Sequence, residues 1–180
     1  MTAAAFAAWL GAAVIVLADG RRGLAVGIGL VAAGFTTLAW TDGIWLGGAL
    51  VLLAGAVSVI QLLRSGPRDW GLMPPGSTPR LILAIVGGIL SLWVAASVTS
   101  GPGAELRFAS IVVIALMAGR LLQSASATPA ITAAAALAIA LAGASDLGLH
   151  DPGFAPYLVG ALVAAGASFL PAAEPHASPR

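Results

Sequence analysis

Seven apolar runs, parted by short polar or Gly/Pro-rich breaks, constrain this chain more than any other feature. They fall at about Ala3–Ala18, Gly23–Trp40, Ile44–Leu63, Leu81–Ser100, Phe108–Gln123, Ala130–Ala144 and Pro156–Leu170. A helix that crosses a bilayer needs about 20 residues, with a lower limit near 17. The third and fourth runs meet that length outright. The first two meet it because Asp19 and Arg21 can reach headgroups, and the last three need snorkelling or local thinning of the bilayer. The sixth is weakest, since "ITAAAALAIALAGA" is mostly alanine.

Composition closes the soluble alternative. Hydrophobic residues make up 59% and charged residues 8%, against roughly 45–50% and 25% in soluble domains, more apolar side chain than a soluble fold of this size can bury. The expected class is all-α, a polytopic membrane helix bundle of about seven transmembrane helices. Residues 1–170 read as one transmembrane domain, and 171–180 as a disordered tail. The opening "MTAAAFAAWLGAAVIVLADG" lacks a positive n-region and a convincing cleavage site, so it reads as a retained first span.

Charge sets the threading. With seven spans, one side of the membrane collects Arg21, Arg22, Arg64, Arg68, Arg80, Arg120 and Arg180, while the other holds Asp42, Glu105, Asp146 and Asp151 with only Arg107. The positive-inside rule makes the arginine side cytoplasmic, giving an outside N-terminus and an inside C-terminus. Removing the fifth span would put Arg107 and Arg120 in one external loop, so seven spans are preferred to six. Heavy Ala, Gly and Arg usage suits a GC-rich bacterial genome, and the expected location is the cell inner membrane.

The longest polar stretch, "RSGPRDWGLMPPGSTPR" at 64–80, reads as a cytoplasmic loop whose arginines hold the third and fourth helices in orientation. Its prolines forbid continuous helix. Within it, Trp70, Leu72 and Met73 form a candidate docking element for another membrane subunit, because an apolar cluster on a proline frame loses little entropy on binding. Trp40, Trp45 and Tyr157 are expected in one interfacial belt, and Trp9 and Trp93 deeper, facing other helices or a lipid carbonyl.

"GIGLVA" at 27–32 matches a dinucleotide-binding pattern, yet it lies inside an apolar run and follows no strand. Gly23, Gly27 and Gly34 instead form a small-residue face for close helix approach. Gly48 and Gly55 form another, and Gly160, Ala164 and Ser168 a third.

Chemistry-bearing groups are few. There is no cysteine, and no Asp, Glu, Lys, Arg or His lies near the middle of a run, where proton relays and coupled ion sites need them. Asp146, His150 and Asp151 share one loop, which reads as ordinary loop chemistry, and His176 sits in the tail. No catalytic, cofactor-binding or metal-binding residue is expected. At depth only hydroxyl and amide groups remain: Thr36, Thr37, Ser58, Gln61, Ser91, Ser97 and Thr132. Most such groups bond back to their own helix, and the alternative is a polar path for a neutral solute. Broken helices mark such paths, and Gly87–Gly88 is the interior candidate. The leading expectation is a non-catalytic membrane subunit or accessory protein, with the lipid bilayer and other membrane subunits as partners and no nucleic acid. The second is a small transporter or substrate-binding membrane component for a neutral solute. Co-purification of partners in mild detergent distinguishes the two from a monomer stabilised by a solute.

Overall fold

The structure, a computed structural model, describes residues 3–66, 69–71, 78–98, 101, 103–147 and 153–170. Among them the regular elements are all helical: α1 (Ala3–Leu17), α2 (Arg21–Thr41), α3 (Trp45–Arg64), α4 (Thr78–Ile82), a π turn (Leu83–Gly87), α5 (Gly88–Val98), α6 (Ala104–Leu122), α7 (Ala127–Asp146) and α8 (Ala155–Ala167). Because α4, the π turn and α5 run on without a gap, these elements make seven rods, one in each apolar run. The polar breaks supply the turns. Gly43, at φ +83°, closes the α2–α3 turn in a backbone region that costs a residue with a β-carbon, and its N–H donates to the Trp40 carbonyl.

Three rods, α2, α3 and α7, are long and apolar enough to cross a membrane. At about 1.5 Å per residue, the 21 residues of α2 reach roughly 31 Å, close to the ~30 Å hydrocarbon thickness. Two expectations about individual runs change. The alanine-rich sixth run forms α7, an unbroken 20-residue helix, because alanine is the best helix former even where it is a poor hydrophobe. The fourth run, which looked secure by length, is interrupted by the π turn, and the interruption falls at the Gly87–Gly88 pair. There the absence of β-carbons weakens the regular helix.

Packing gives two layers. α1, α2 and α3 lie side by side, as do α6, α7 and α8, and the layers meet with α1 on α6, α2 on α7 and α3 on α8. Each facing pair is parallel. The last turn of α6 meets the last turn of α1 through Arg120 and the Ile15 carbonyl, Phe35 of α2 packs on Gly143 of α7, and Ser58 near the end of α3 meets Ser168 just after α8. The second layer thus repeats the order and direction of the first, with α4–α5 as the connecting rod against α6. A sequence echo accompanies the repeat: Gly48-Ala49-Leu50-Val51 in α3 recurs as Gly160-Ala161-Leu162-Val163 in α8.

Small residues set the spacing within layers. A β-carbon on Gly27 would lie 2.5 Å from Ile15 Cγ1 and 2.9 Å from the Gly11 carbonyl oxygen, and one on Gly34 would lie 2.7 Å from the Ala4 carbonyl oxygen. One on Gly55 would lie 2.3 Å from Ala32 Cβ, one on Gly48 2.5 Å from the Trp40 ring, and one on Gly160 2.8 Å from the Ala138 carbonyl oxygen. Gly23 is buried in the same helix as Gly27. At these separations any added methyl must push backbones apart.

The deeper tryptophans divide between core and periphery, and Tyr157 departs from expectation. Trp93 is 72% exposed on the outer face of α5, in line with exposed Ile82, Ile85, Val86, Ile89 and Leu90, because the peripheral rod has a neighbouring helix on one side only. Trp9 is half-buried beside Phe6, ring centroids 5.3 Å apart, and its indole N–H meets no acceptor among the described residues. Tyr157 is fully buried rather than interfacial. Gly47 leaves room for its ring, and its hydroxyl donates to Asp146 Oδ2 at 3.2 Å. Trp40 and Trp45 do stack at the α2–α3 turn, with Trp40 Nε1 donating to the Trp45 carbonyl at 3.1 Å.

Candidate functional site

Alternating chain direction sorts the polar residues to two ends of the bundle. One end carries Asp19, Arg21, Arg64 and Arg120, and the other Asp42, Glu105, Arg107 and Asp146. A different chemistry is built at each.

At the arginine end, Arg120 is fully buried, although its place in the charge pattern suggested a side chain facing the cytoplasm. The last turn of α6 packs on the end of α1, and the long side chain has no route outward. Its Nε donates to the Ile15 carbonyl at 3.2 Å and its Nη2 to the Ala18 carbonyl at 3.0 Å and to the Asp19 carboxylate, with which it forms an ion pair. The arginine therefore supplies the end of α1 with donors for carbonyls that no further helical turn can satisfy.

Residues 69–71 of the long polar stretch lie against the α1–α2 turn. The Asp19 N–H donates to the Gly71 carbonyl and the Arg22 N–H to the Asp69 carbonyl, each at 3.0 Å, while Asp69 Oδ1 accepts from the Arg21 N–H at 3.4 Å. Asp69 thereby caps an α2 start that has no side-chain cap of its own. Trp70 remains 51% exposed over a crevice between α2 and α3. Leu72 and Met73, the other members of the candidate docking cluster, lie outside the described residues, as do Arg68, His150, Asp151 and His176.

Between the two layers at this end lies a cavity of 370 Å³, at the small end of the roughly 300–1,000 Å³ typical of ligand pockets. Its polar lining comes from Arg21 of α2, Ser58 and Gln61 of α3 with Ser65 just after it, Thr128 and Thr132 of α7, and Ser168. Leu62, Ile131, Ala135 and Phe169 supply apolar wall. Both layers contribute, so the cavity sits on the interface of the two halves.

Its hydroxyls are not all satisfied within the helices. Thr132 bonds back to the Thr128 carbonyl at 2.9 Å, as Thr37, Ser91 and Ser97 do to carbonyls on their own helices. Thr36 instead reaches the Gly48 carbonyl across the α2–α3 contact at 3.2 Å. Ser58 and Ser168 differ from these. Their Oγ atoms are 2.7 Å apart, and each also lies 3.0 Å from a carbonyl of its own helix, Ala54 and Ala164. Two hydroxyl protons cannot fill three contacts. The pair keeps unused acceptor capacity that a ligand donor in the cavity can fill. The Gln61 side-chain amide bonds to no described residue. The arrangement can donate and accept hydrogen bonds, but it activates neither serine, since the neighbour of each hydroxyl is another hydroxyl or a carbonyl.

At the opposite end, buried Asp146 accepts from Tyr157 through Oδ2, and the Gly153 backbone lies close enough to its carboxylate to act on it as a donor. Asp146 was expected in a loop; it forms the last turn of α7. Asp42 and Glu105 line a separate cavity of 210 Å³ with Thr41 and Gly103. Partial burial at the end of α2, and then the charges of Asp146 and Glu105, push the Asp42 carboxyl above the usual carboxylate range. Among the described residues no group of three or more His, Asp or Glu side chains is arranged to hold a metal ion.

The hydroxyl cavity was only partly visible in the sequence. Ser58, Gln61 and Thr132 were noted as polar groups at depth, whereas Arg21 and Thr128 were not connected with them, and Ser168 was read as a small packing residue. The recurring Gly-Ala-Leu-Val tetrapeptide, at an offset of 112 residues, marks α3 and α8 as corresponding helices but aligns Ser58 with Leu170, two positions past Ser168. Compared with known protein families, curated proteins and solved structures, the chain matches none.

Proposed function

We propose that the chain is a multi-pass protein of the cell inner membrane, with seven rods across the bilayer, an outside N-terminus and a cytoplasmic C-terminus, and that it binds and passes a small hydrogen-bonding solute. The observation that carries this reading is the polar cavity on the seam of two three-helix layers, bridged by Ser58 and Ser168. Membrane transporters are often built from two repeats with the substrate at their interface, where rocking of one half on the other exposes the site to either side. The hydroxyl–hydroxyl contact is one bond across the seam that such rocking can break and remake, and the Arg120 bonds from α6 to the end of α1 join the same two layers. The π turn at Gly87–Gly88 is not part of this site, because it lies on the peripheral rod.

A subunit role in a larger complex is the second reading. It is favoured by the outer stripe of α4–α5, where exposed Trp93 carries an indole N–H that acyl chains cannot satisfy.

Purification from the native host in mild detergent tests the two. A monomer whose melting is raised by a panel of small polyols, sugars or hydroxy acids, an effect lost in a Ser58→Val/Ser168→Val variant, supports solute binding. A stable assembly with other subunits and no solute response replaces it with the second reading. Reporters after Arg180 and near Asp42 check the threading: cytoplasmic and external signals respectively are expected.

A further inference from the structure

We infer that the solute of the hydroxyl cavity carries an oxyanion, a phosphate or carboxylate, on a short hydroxylated body; this rests on the solute-binding reading above. The absence of charge at helix mid-depth points, by itself, to a neutral solute. Arg21 changes that conclusion. It lines the same cavity as Ser58, Gln61 and Ser168, and its guanidinium lies over Gly66, where an added β-carbon would come within 3.0 Å of Arg21 Cζ. Among the described residues no ion pair links it to an acid. Asp69 directs its carboxylate to the Arg21 backbone N–H, and Asp19 is paired with Arg120. Among the described residues the cavity lining contains no carboxylate. A planar donor set at a polar cavity, with no counter-charge among the described lining residues, matches an oxyanion in fork geometry.

The opposite wall adds field of the same sign. α7 begins here without a side-chain cap, and Thr128 in its first turn lines the cavity, so the positive end of the helix dipole and the guanidinium face the same space. Deeper in, Ser58, Ser168 and Gln61 are suited to hydroxyls, since each can donate or accept. The ligand would thus lie with its charge toward Arg21 and its hydroxylated part on the serine pair. Two sources offer this chemistry: a free phosphorylated or carboxylated polyol, and the headgroup of an anionic glycerolipid.

The test uses the full chain in phosphatidylcholine nanodiscs at low salt, with glycerol 3-phosphate and glycerol as probes in titration calorimetry. Glycerol 3-phosphate is expected to bind at least about tenfold more tightly than glycerol. Arg21→Gln should abolish that difference and leave glycerol binding unchanged, whereas Arg22→Gln, an exposed neighbour outside this cavity, should alter neither. If instead phosphatidylglycerol is retained in native mass spectra of the parent protein and lost from Arg21→Gln, the oxyanion is a lipid headgroup and the inference also holds. Equal affinity for the two probes, with weaker binding in Ser58→Val/Ser168→Val, overturns the oxyanion and leaves the solute cavity standing. Binding of neither probe and of no anionic lipid overturns both.

Discussion

Replacing Arg120 with methionine keeps the apolar length of the side chain and removes its charge from a position with no solvent exposure. The loss comprises charge-assisted bonds to the Ile15 and Ala18 carbonyls and the ion pair with Asp19. Each bond of this kind contributes about 1.5–3 kcal/mol, though not additively. Removing one partner of a buried pair typically costs about 3–5 kcal/mol, because the other charge is left uncompensated. Asp19 softens this, since its side chain is 28% exposed and water can take over part of the lost interaction. The expected destabilisation is therefore near the lower figure, about 3 kcal/mol for Arg120→Met. For Asp19→Asn about 1–2 kcal/mol is expected, because the guanidinium keeps both carbonyls. The double variant Arg120→Met/Asp19→Leu removes both charges and should recover more than half of the single loss. Reversible unfolding in mixed micelles, followed by tryptophan fluorescence, measures all three. An Arg120→Met protein within about 0.5 kcal/mol of the parent would refute the assignment of this arginine as the group holding the end of α1 to α6.

Gly27→Leu should lower folded yield sharply, because its β-carbon alone meets Ile15 at 2.5 Å, whereas Val26→Leu on the exposed face of the same helix should fold normally; equal yields by size-exclusion chromatography would argue against the α1–α2 contact. Gly71→Ala should detach residues 69–71 from the α1–α2 turn, since Gly71 has φ +47° and an added β-carbon would lie 2.3 Å from the Gly20 nitrogen; faster hydrogen exchange at the Asp19 and Arg22 amides is the expected readout. For Asp42, a folded-state pKa above the unfolded one means that the fold binds the proton more tightly. Its stabilisation is complete below the ordinary value of about 3.9 and is lost as pH rises through the raised value. Asp42→Asn should therefore flatten the decline in melting temperature from about pH 4 upward, and an unchanged slope would show that Asp42, raised first by partial burial and then by the charges of Asp146 and Glu105, is not the group that titrates there.

Apolar run length and alanine content determined that these residues are helices, and the breaks at Gly20, Gly43 and Gly103 determined where the chain turns. Both signals are local, since helix propensity and hydropathy act over a few neighbouring residues. Alternation of arginine and acid between successive breaks likewise anticipated the two chemically distinct ends, because in a chain of hairpins every second break returns to the same end. Which rods become neighbours is not local. Ser58 and Ser168 are 110 positions apart, and Arg120 lies 101 positions from Asp19, so their pairing depends on the layers meeting α3 on α8 and α1 on α6. The same stacking turned Arg120 from an apparent topology signal into a buried clamp, enclosed Tyr157 beside Gly47, and left Trp93 outside. In each case the side chain's character is written in the sequence, but the presence of a facing helix decides whether it is buried, paired or exposed.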